Sequence, residues 1–457
     1  MLENMSEKKK VLLALVLVAL VGIIASKTKV IVLLWGASIF VYGTYLTIKN
    51  KNKNGEAHLT IAYLIGAEVF LRMTFSGLPF EMGKYSTIFL LSVAMIVDNH
   101  KRGYPFLIIV YMLLMLPTVP LTVAYYDDFA VLKQKLFFNL MGPLSLMVST
   151  LYFYHLRMGM KDFVNISRAI VLGTTTMALY VFFQVGDYAS VQFTYSSNAV
   201  SSGGFSGNQV SSGFGIGVAI IGINLVLKNR LFYYLAIDMG LLVLFIFQGL
   251  MTFSRGGMLT GVLAVLVGAF FYYFSNFSQL VAFLRHNFFK LILAGFIAVG
   301  AFVVTDKVTG GYLSVRYFNV GEDGFKQKED LTTGRGDILK GDIDLFVETG
   351  MVGVGPGVSM FERNTHRGFA AHVEFSRLLA EHGLLGMICM IILLILPLIQ
   401  FFKLLPRPDN QMIFVALMVM SLLTMTHAAM RLGMVGFFYG LAFILIVHQT
   451  QNKDVLK

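Results

Sequence analysis

Apolar residues run in long blocks along this chain, separated by short polar joints. A membrane-spanning helix needs about 20 apolar residues, with a usable range of about 17–25. Fourteen blocks approach that length, at 11–25, 30–48, 59–78, 85–97, 104–124, 136–154, 169–186, 210–227, 231–250, 257–274, 289–305, 384–402, 411–429 and 433–448. The first and fourth are the shortest, and twelve is the alternative count where either is only interfacial. The pattern predicts an all-α polytopic membrane protein. Its organisation is read as a transmembrane bundle over 1–305, a loop domain over 306–383, and three last spans with a tail over 384–457.

Composition agrees with the pattern. Hydrophobic residues make up 56% of the 457 and charged residues 13%, with mean hydropathy +0.73. A soluble domain carries roughly 25% charged residues. The net charge is +11, which on a soluble chain suggests nucleic acid. Here the basic residues cluster between apolar blocks, as topology signals do, so no nucleic-acid partner is expected. With the N-terminus in the cytoplasm and alternating sides, 19 Lys and Arg lie at inner ends and eight in short outer loops. That asymmetry places both termini in the cytoplasm and 306–383 outside. The single cysteine, Cys389, forms no intrachain disulfide. The block 11–25 follows Lys8-Lys9-Lys10 and no small-residue cleavage site follows it, so it is read as an anchor that stays.

Two outer segments stand out. One, at about 187–209, is rich in Ser, Gly and Asn. The other, 306–383, contains two helical patterns. Ile338, Leu339, Asp342, Leu345 and Phe346 recur three and four apart, predicting an amphipathic helix on or near the membrane. Gly350 and the run Gly353-Val354-Gly355-Pro356-Gly357 break it. A second helix is predicted from near His372, with Arg377 and Glu381 placed four apart as an ion pair and Gly383 as a stop or kink.

Cations gather on the predicted outer face: Arg255, Arg316, Arg335 and Arg431. Arg255 lies in Phe253-Ser254-Arg255-Gly256-Gly257, between two spans. It reads either as a snorkelling anchor or as a bidentate ligand for a phosphate group. In the second reading the two glycines let a headgroup approach the backbone. Arg335, in Thr333-Gly334-Arg335-Gly336, opens the amphipathic helix, where backbone N–H groups also favour an anion; a solvated loop charge is the alternative. His372 sits at a helix N-terminus, which keeps imidazole neutral and able to accept a proton; the alternative is a packing or capping histidine. His366 competes for that role, and Glu374 or Glu381 could serve as base or orienter. Glu68 and Arg72, four apart, read as a structural ion pair. Asp238, Gln184 and Gln248 are polar groups in apolar surroundings and are expected to face the bundle interior. No Cys/His metal cluster, phosphate-binding glycine motif or internal repeat is present.

Several of these motifs together resemble the O-antigen ligase and polymerase superfamily. They are Ser254-Arg255-Gly256-Gly257, Thr333-Gly334-Arg335, Gly353-Val354-Gly355-Pro356-Gly357, and the stretch from Ala371 through His372, Glu374, Arg377, Glu381 and His382 to Gly386. Gly204-Phe205-Ser206-Gly207-Asn208-Gln209 is a looser match. The resemblance covers about 200–390.

It implies a GT-C type fold in the bacterial inner membrane, with a periplasmic loop domain and an active site on the periplasmic face. It implies an inverting glycosyltransferase that uses neither metal nor cofactor. The donor is a glycan on undecaprenyl pyrophosphate. The acceptor is lipid A-core for a ligase, another lipid-linked repeat for a polymerase, or a protein hydroxyl. The ligase reading is preferred, since the compact helix from His372 to Gly383 resembles ligases most. By this resemblance Arg255 and Arg335 bind pyrophosphate and His372 is the base. Glu374, Arg377, Glu381, Arg316 and Arg431 stand as supporting residues. From another class, a glycolipid flippase or transporter also fits many helices. Transporters, however, place their charges at the midplane, often within paired repeats.

Overall fold

The computed structural model describes residues 5–193, 197–274, 281, 299–300, 302–318, 334–404 and 407–447. The chain is helical almost throughout. In order the helices are α1 (Glu7–Ala25), α2 (Val30–Lys49), α3 (Glu56–Gly66), α4 (Glu68–Met73), α5 (Met82–Val97), α6 (Phe106–Leu113), α7 (Val119–Tyr125), α8 (Phe129–Phe153), α9 (Met160–Val185), α10 (Gly207–Val226), α11 (Leu235–Met251) and α12 (Arg255–Phe274). There follow α13 (Tyr312–Phe318), α14 (Arg335–Glu348), α15 (Ser359–Glu362), α16 (Glu374–Leu404), α17 (Pro408–His427) and α18 (Gly433–Leu441). Among the described residues, eight helical segments are long and apolar enough to cross a membrane. This is a membrane-embedded, mostly helical protein.

Small residues let the helices approach closely, the usual means of packing where lipid supplies no hydrophobic drive between helices. A Cβ on Gly257 of α12 would lie 2.3 Å from the Ser212 amide nitrogen of α10, and one on Gly66 of α3 would lie 2.1 Å from the Ile170 carbonyl of α9.

The apolar blocks differ from the observed helices in informative places. Block 59–78 is helical only over α3 and α4. The segment Phe106–Tyr125 is interrupted by a 3-10 turn at Leu116–Thr118, where Pro117 lacks an N–H to continue the ladder. Block 433–448 is helical only to Leu441; Leu445–Ile446 then pair in parallel with Arg157–Met158. Most of block 289–305 lies outside the described residues.

The amphipathic helix predicted over 336–348 forms as α14. Its buried positions Ile338, Asp342 and Leu345 pack against α16, so the stripe assigned to the membrane surface is covered by protein. Gly383 kinks α16, with φ 58° and ψ −136°.

Candidate functional site

The first turns of α16 carry a run of charge that is fully buried. Arg377 reaches back one turn and forward one turn at once. Its Nε donates to Glu374 Oε2 at 3.0 Å, and its terminal nitrogens donate to Glu374 Oε1 at 2.5 Å and Glu381 Oε2 at 2.6 Å. The carboxylates bind more than the guanidinium. Glu381 Oε1 accepts from the Gly357 amide at 2.9 Å and from Ser359 Oγ at 3.1 Å. Glu374 Oε2 accepts from the Met430 amide at 3.3 Å. Removing one member of such a buried group leaves an uncompensated charge. The predicted pair Arg377–Glu381 is therefore half of a triad that fastens the glycine-rich loop and the turn after α17 to one helix.

His372 lies two residues before α16. Its carbonyl accepts from the Ala429 amide at 2.9 Å, which docks it on that same turn. The ring is half-buried, and its Nδ1 finds no hydrogen-bond partner among the described residues. Burial first, and then the charges of Arg431, Arg335 and Arg363, push the imidazole down to about 3. The ring is neutral at physiological pH, as expected, but burial and guanidinium groups hold it so.

Arg431 follows on the turn after α17. One terminal nitrogen donates to the carbonyls of Ala370 and Ala371 at 2.9 and 2.8 Å, while its buried Nε has no partner among the described residues. Burial, reinforced by Arg335, brings it down to about 10, so it stays charged. The turn has a second anchor. Glu68 accepts from the Gly433 amide at 2.8 and 3.0 Å, and Arg72 pairs with Glu68 at 2.5 Å and donates to the Arg431 carbonyl at 2.9 Å. The pair read as structural does hold structure, and what it holds is the Arg431 turn.

Arg335 opens α14 behind Gly334, whose φ of 78° suits glycine. Burial and the field of Arg255 both lower its proton affinity. The structure thus brings Arg335 and Arg431 within electrostatic reach of each other and of His372, and Arg255 within reach of Arg335, from four separate parts of the chain. Arg316 sits beside the turn before Arg255, its Nε 3.4 Å from the Phe253 carbonyl. The Ser/Gly/Asn segment braces that turn: the Asn198 amide donates to the Thr252 carbonyl at 3.2 Å, and Ser201 Oγ to the Met251 carbonyl at 2.5 Å.

Two sequence expectations change. The glycines after Arg255 make room for protein and not for a headgroup: a Cβ on Gly256 would lie 2.8 Å from the His427 ring, and Gly257 packs against α10. His366 is exposed, 3.5 Å from Asp337, and stands outside the buried group.

Three residues escaped the sequence reading. His427 ends α17; its Nδ1 lies 2.9 Å from the Leu423 carbonyl, which makes that nitrogen the donor and leaves Nε2 as an acceptor 3.5 Å from Ser212 Oγ. Arg363 is fully buried and bonds Asp342 at 3.2 Å. Lys135 of α8 faces the same region as Arg431 across a cavity. A lone histidine closing an apolar run was a visible signal for His427. The other two carried none.

Residues 240–391 match the O-Antigen ligase family. This segment is an O-antigen ligase family domain. It contains Arg255, Arg316, Arg335, His372, Glu374, Arg377 and Glu381, all the residues the resemblance had singled out except Arg431. Lys135, His427 and Arg431 reach the O-antigen ligase domain from outside its matched range. No curated protein matches the chain.

Proposed function

We propose that this protein transfers a glycan from undecaprenyl pyrophosphate to an acceptor hydroxyl on the periplasmic face of the bacterial inner membrane. One observation carries the reading: a neutral imidazole with an unpartnered, buried Nδ1 stands within the field of Arg431, Arg335 and Arg363, and Arg255 acts in turn on Arg335. That arrangement suits a base beside an anion site. Arg255 and Arg335 hold the pyrophosphate. His372 takes the proton from the acceptor hydroxyl as its oxygen bonds the anomeric carbon from the face opposite the leaving group. The anomeric C–O bond breaks, and its electron pair leaves with undecaprenyl pyrophosphate, whose charge the guanidinium groups stabilise. The product is inverted. These cations fill the charge-neutralising part that a metal plays in other transferases.

A GT-C architecture with fourteen spans, cytoplasmic termini and the segment 306–383 as a periplasmic domain fits this chemistry and the distribution of basic residues. Lipid A-core is the first-choice acceptor, which makes the protein an O-antigen ligase; a second lipid-linked repeat would make it a polymerase.

The test is a transfer assay with purified protein and undecaprenyl-pyrophosphate glycan, with and without lipid A-core. Product that requires lipid A-core and disappears in His372→Ala supports the ligase. A ladder of lengthening glycan without lipid A-core identifies a polymerase. No product in either arm sinks both and favours a protein acceptor or transport.

A further inference from the structure

The Ala370–Ala371 turn borders a cavity of about 220 Å³. That is far beyond the ~10–15 Å³ a single water needs. Its wall includes Lys135 and Phe138 of α8, Arg377 of α16, and Arg431. Arg255, Arg335 and His427 do not line it. The cavity is thus a space apart from the Arg255–Arg335 pair, and it ends at the two residues that precede His372.

The charges on its wall are unevenly matched. Arg377 is paired directly with Glu374 and Glu381, which line the cavity too. Lys135 is not: its Nζ lies 3.3 Å from Met360 Sδ and 4.7 Å from the centre of the Phe361 ring, with no carboxylate at ion-pair distance among the described residues. Arg431 contacts only carbonyl oxygens through its one bonded nitrogen, and its Nε is buried without a partner among the described residues. Three cations, Lys135, Arg377 and Arg431, share this space with two carboxylates, Glu374 and Glu381, which leaves one positive charge in surplus. Lys135 and Arg431 feel those carboxylates only at a distance, and partly desolvated cations without a direct counter-ion are costly unless an anion enters.

We propose that this cavity is the acceptor subsite and that it takes a sugar bearing an anionic group, a carboxylate or a phosphate, held between Lys135 and Arg431. The inference rests on the transferase reading above and names the acceptor chemistry that reading left open. The apolar face of the ring packs on Phe138. An anion docked on Arg431 also cancels part of the positive field at His372. The base therefore strengthens when the acceptor arrives.

The test uses full-length protein in phosphatidylcholine nanodiscs without donor, and equilibrium binding of methyl glucuronide, glucose 6-phosphate, inorganic phosphate and methyl glucoside. The charged sugars should bind at least about tenfold tighter than methyl glucoside, the value of one charge-assisted contact. Added salt should erode that preference. It should vanish in Lys135→Met and survive in Lys135→Arg. A glucuronide preference identifies a carboxylate acceptor and a glucose 6-phosphate preference a phosphorylated one; both support the proposal. Equal binding of charged and neutral sugars overturns it, as does an undiminished preference in Lys135→Met, or phosphate binding that gains nothing from an attached sugar. If Lys135→Met does not fold, the salt titration of the wild type decides, and a salt-independent preference overturns the proposal. No transfer step is measured, so failure of the transferase reading leaves this result standing. A protein that transfers glycan but does not discriminate the sugars sinks only the subsite.

Discussion

At the scale of single residues, His372 and Arg377 make opposite demands on their surroundings. In the proposed mechanism His372 must stay neutral and available. Replacing it with Ala should lower transfer by about 10²–10⁴-fold, the range for a lost general base, while donor binding persists; both are read by single-turnover assay and donor-lipid binding. Its proton affinity sets a pH signature. An unfolded imidazole titrates near 6.5, whereas the folded ring is held at about 3. The free enzyme therefore keeps its base as pH falls through 6.5, and kcat/KM should stay flat from about pH 8 to about pH 5. A limb centred near 6.5 would exclude His372 as the base of the free enzyme. The same displacement costs stability on acidification, since between pH 6.5 and 3 only the unfolded ring binds the proton.

Arg377 is central to architecture. Arg377→Met strands two buried carboxylates, and a loss of about 3–5 kcal/mol is expected, measured as thermal unfolding in detergent. Glu374→Gln combined with Glu381→Gln in that background should recover part of the loss. The Arg377–Glu381 pairing was legible because it is local: four-residue spacing on a helix brings side chains together in any fold. The approach of His427 to His372, and of Lys135 to the cavity beside Ala370 and Ala371, was not legible, because nothing in local spacing ties residues 135, 372 and 427. The glycines after Arg255 were misread for a related reason. Sequence shows that a small residue is needed, and only the packed structure shows whether a ligand or a neighbouring helix fills the space.

At the scale of elements, the kink in α16 is where the glycine-rich loop folds against that helix. The Gly353 side of the glycine-rich loop folds against it: Val354 and Gly355 donate their amides to the carbonyls of Ala380 and Glu381 at 3.0 and 2.9 Å, and the Leu384 amide donates to the Met351 carbonyl at 2.9 Å. A Cβ on Gly383 would lie 2.1 Å from the Met351 oxygen in a backbone region that L residues rarely adopt. Gly383→Ala should therefore cost at least about 1–3 kcal/mol and lower transfer by misplacing Glu381 and the loop it binds. Equal melting temperatures for variant and wild type would show the kink to be incidental. The sequence marked Gly383 as a stop or a kink, and the apolar run continuing from Leu384 favours the kink. It marked helix ends less well where proline or a short strand intervened, as at Pro117 and at Leu445, since hydropathy continues through both.

At the scale of the whole molecule, orientation is open to direct measurement. Cys389 is buried and the chain has no other cysteine, so single-cysteine variants label cleanly. With the proposed topology, Asn364→Cys should react with a membrane-impermeant maleimide in intact cells and Lys161→Cys only after lysis. The reverse pattern would place the site on the cytoplasmic side.

The Arg431 turn has one more consequence, which concerns the order in which the chain is made. Its anchors are Glu68 near the beginning, Glu374 and the His372 carbonyl late in the chain, and the Gly433 amide later still. Until residue 433 has been synthesised, Glu68 lacks the amide it binds, and the guanidinium beside the base is not yet in place. On the proposed mechanism, a ribosome-bound chain that already displays residues 240–391 is therefore inert, and transfer begins only as the last helices enter the bilayer.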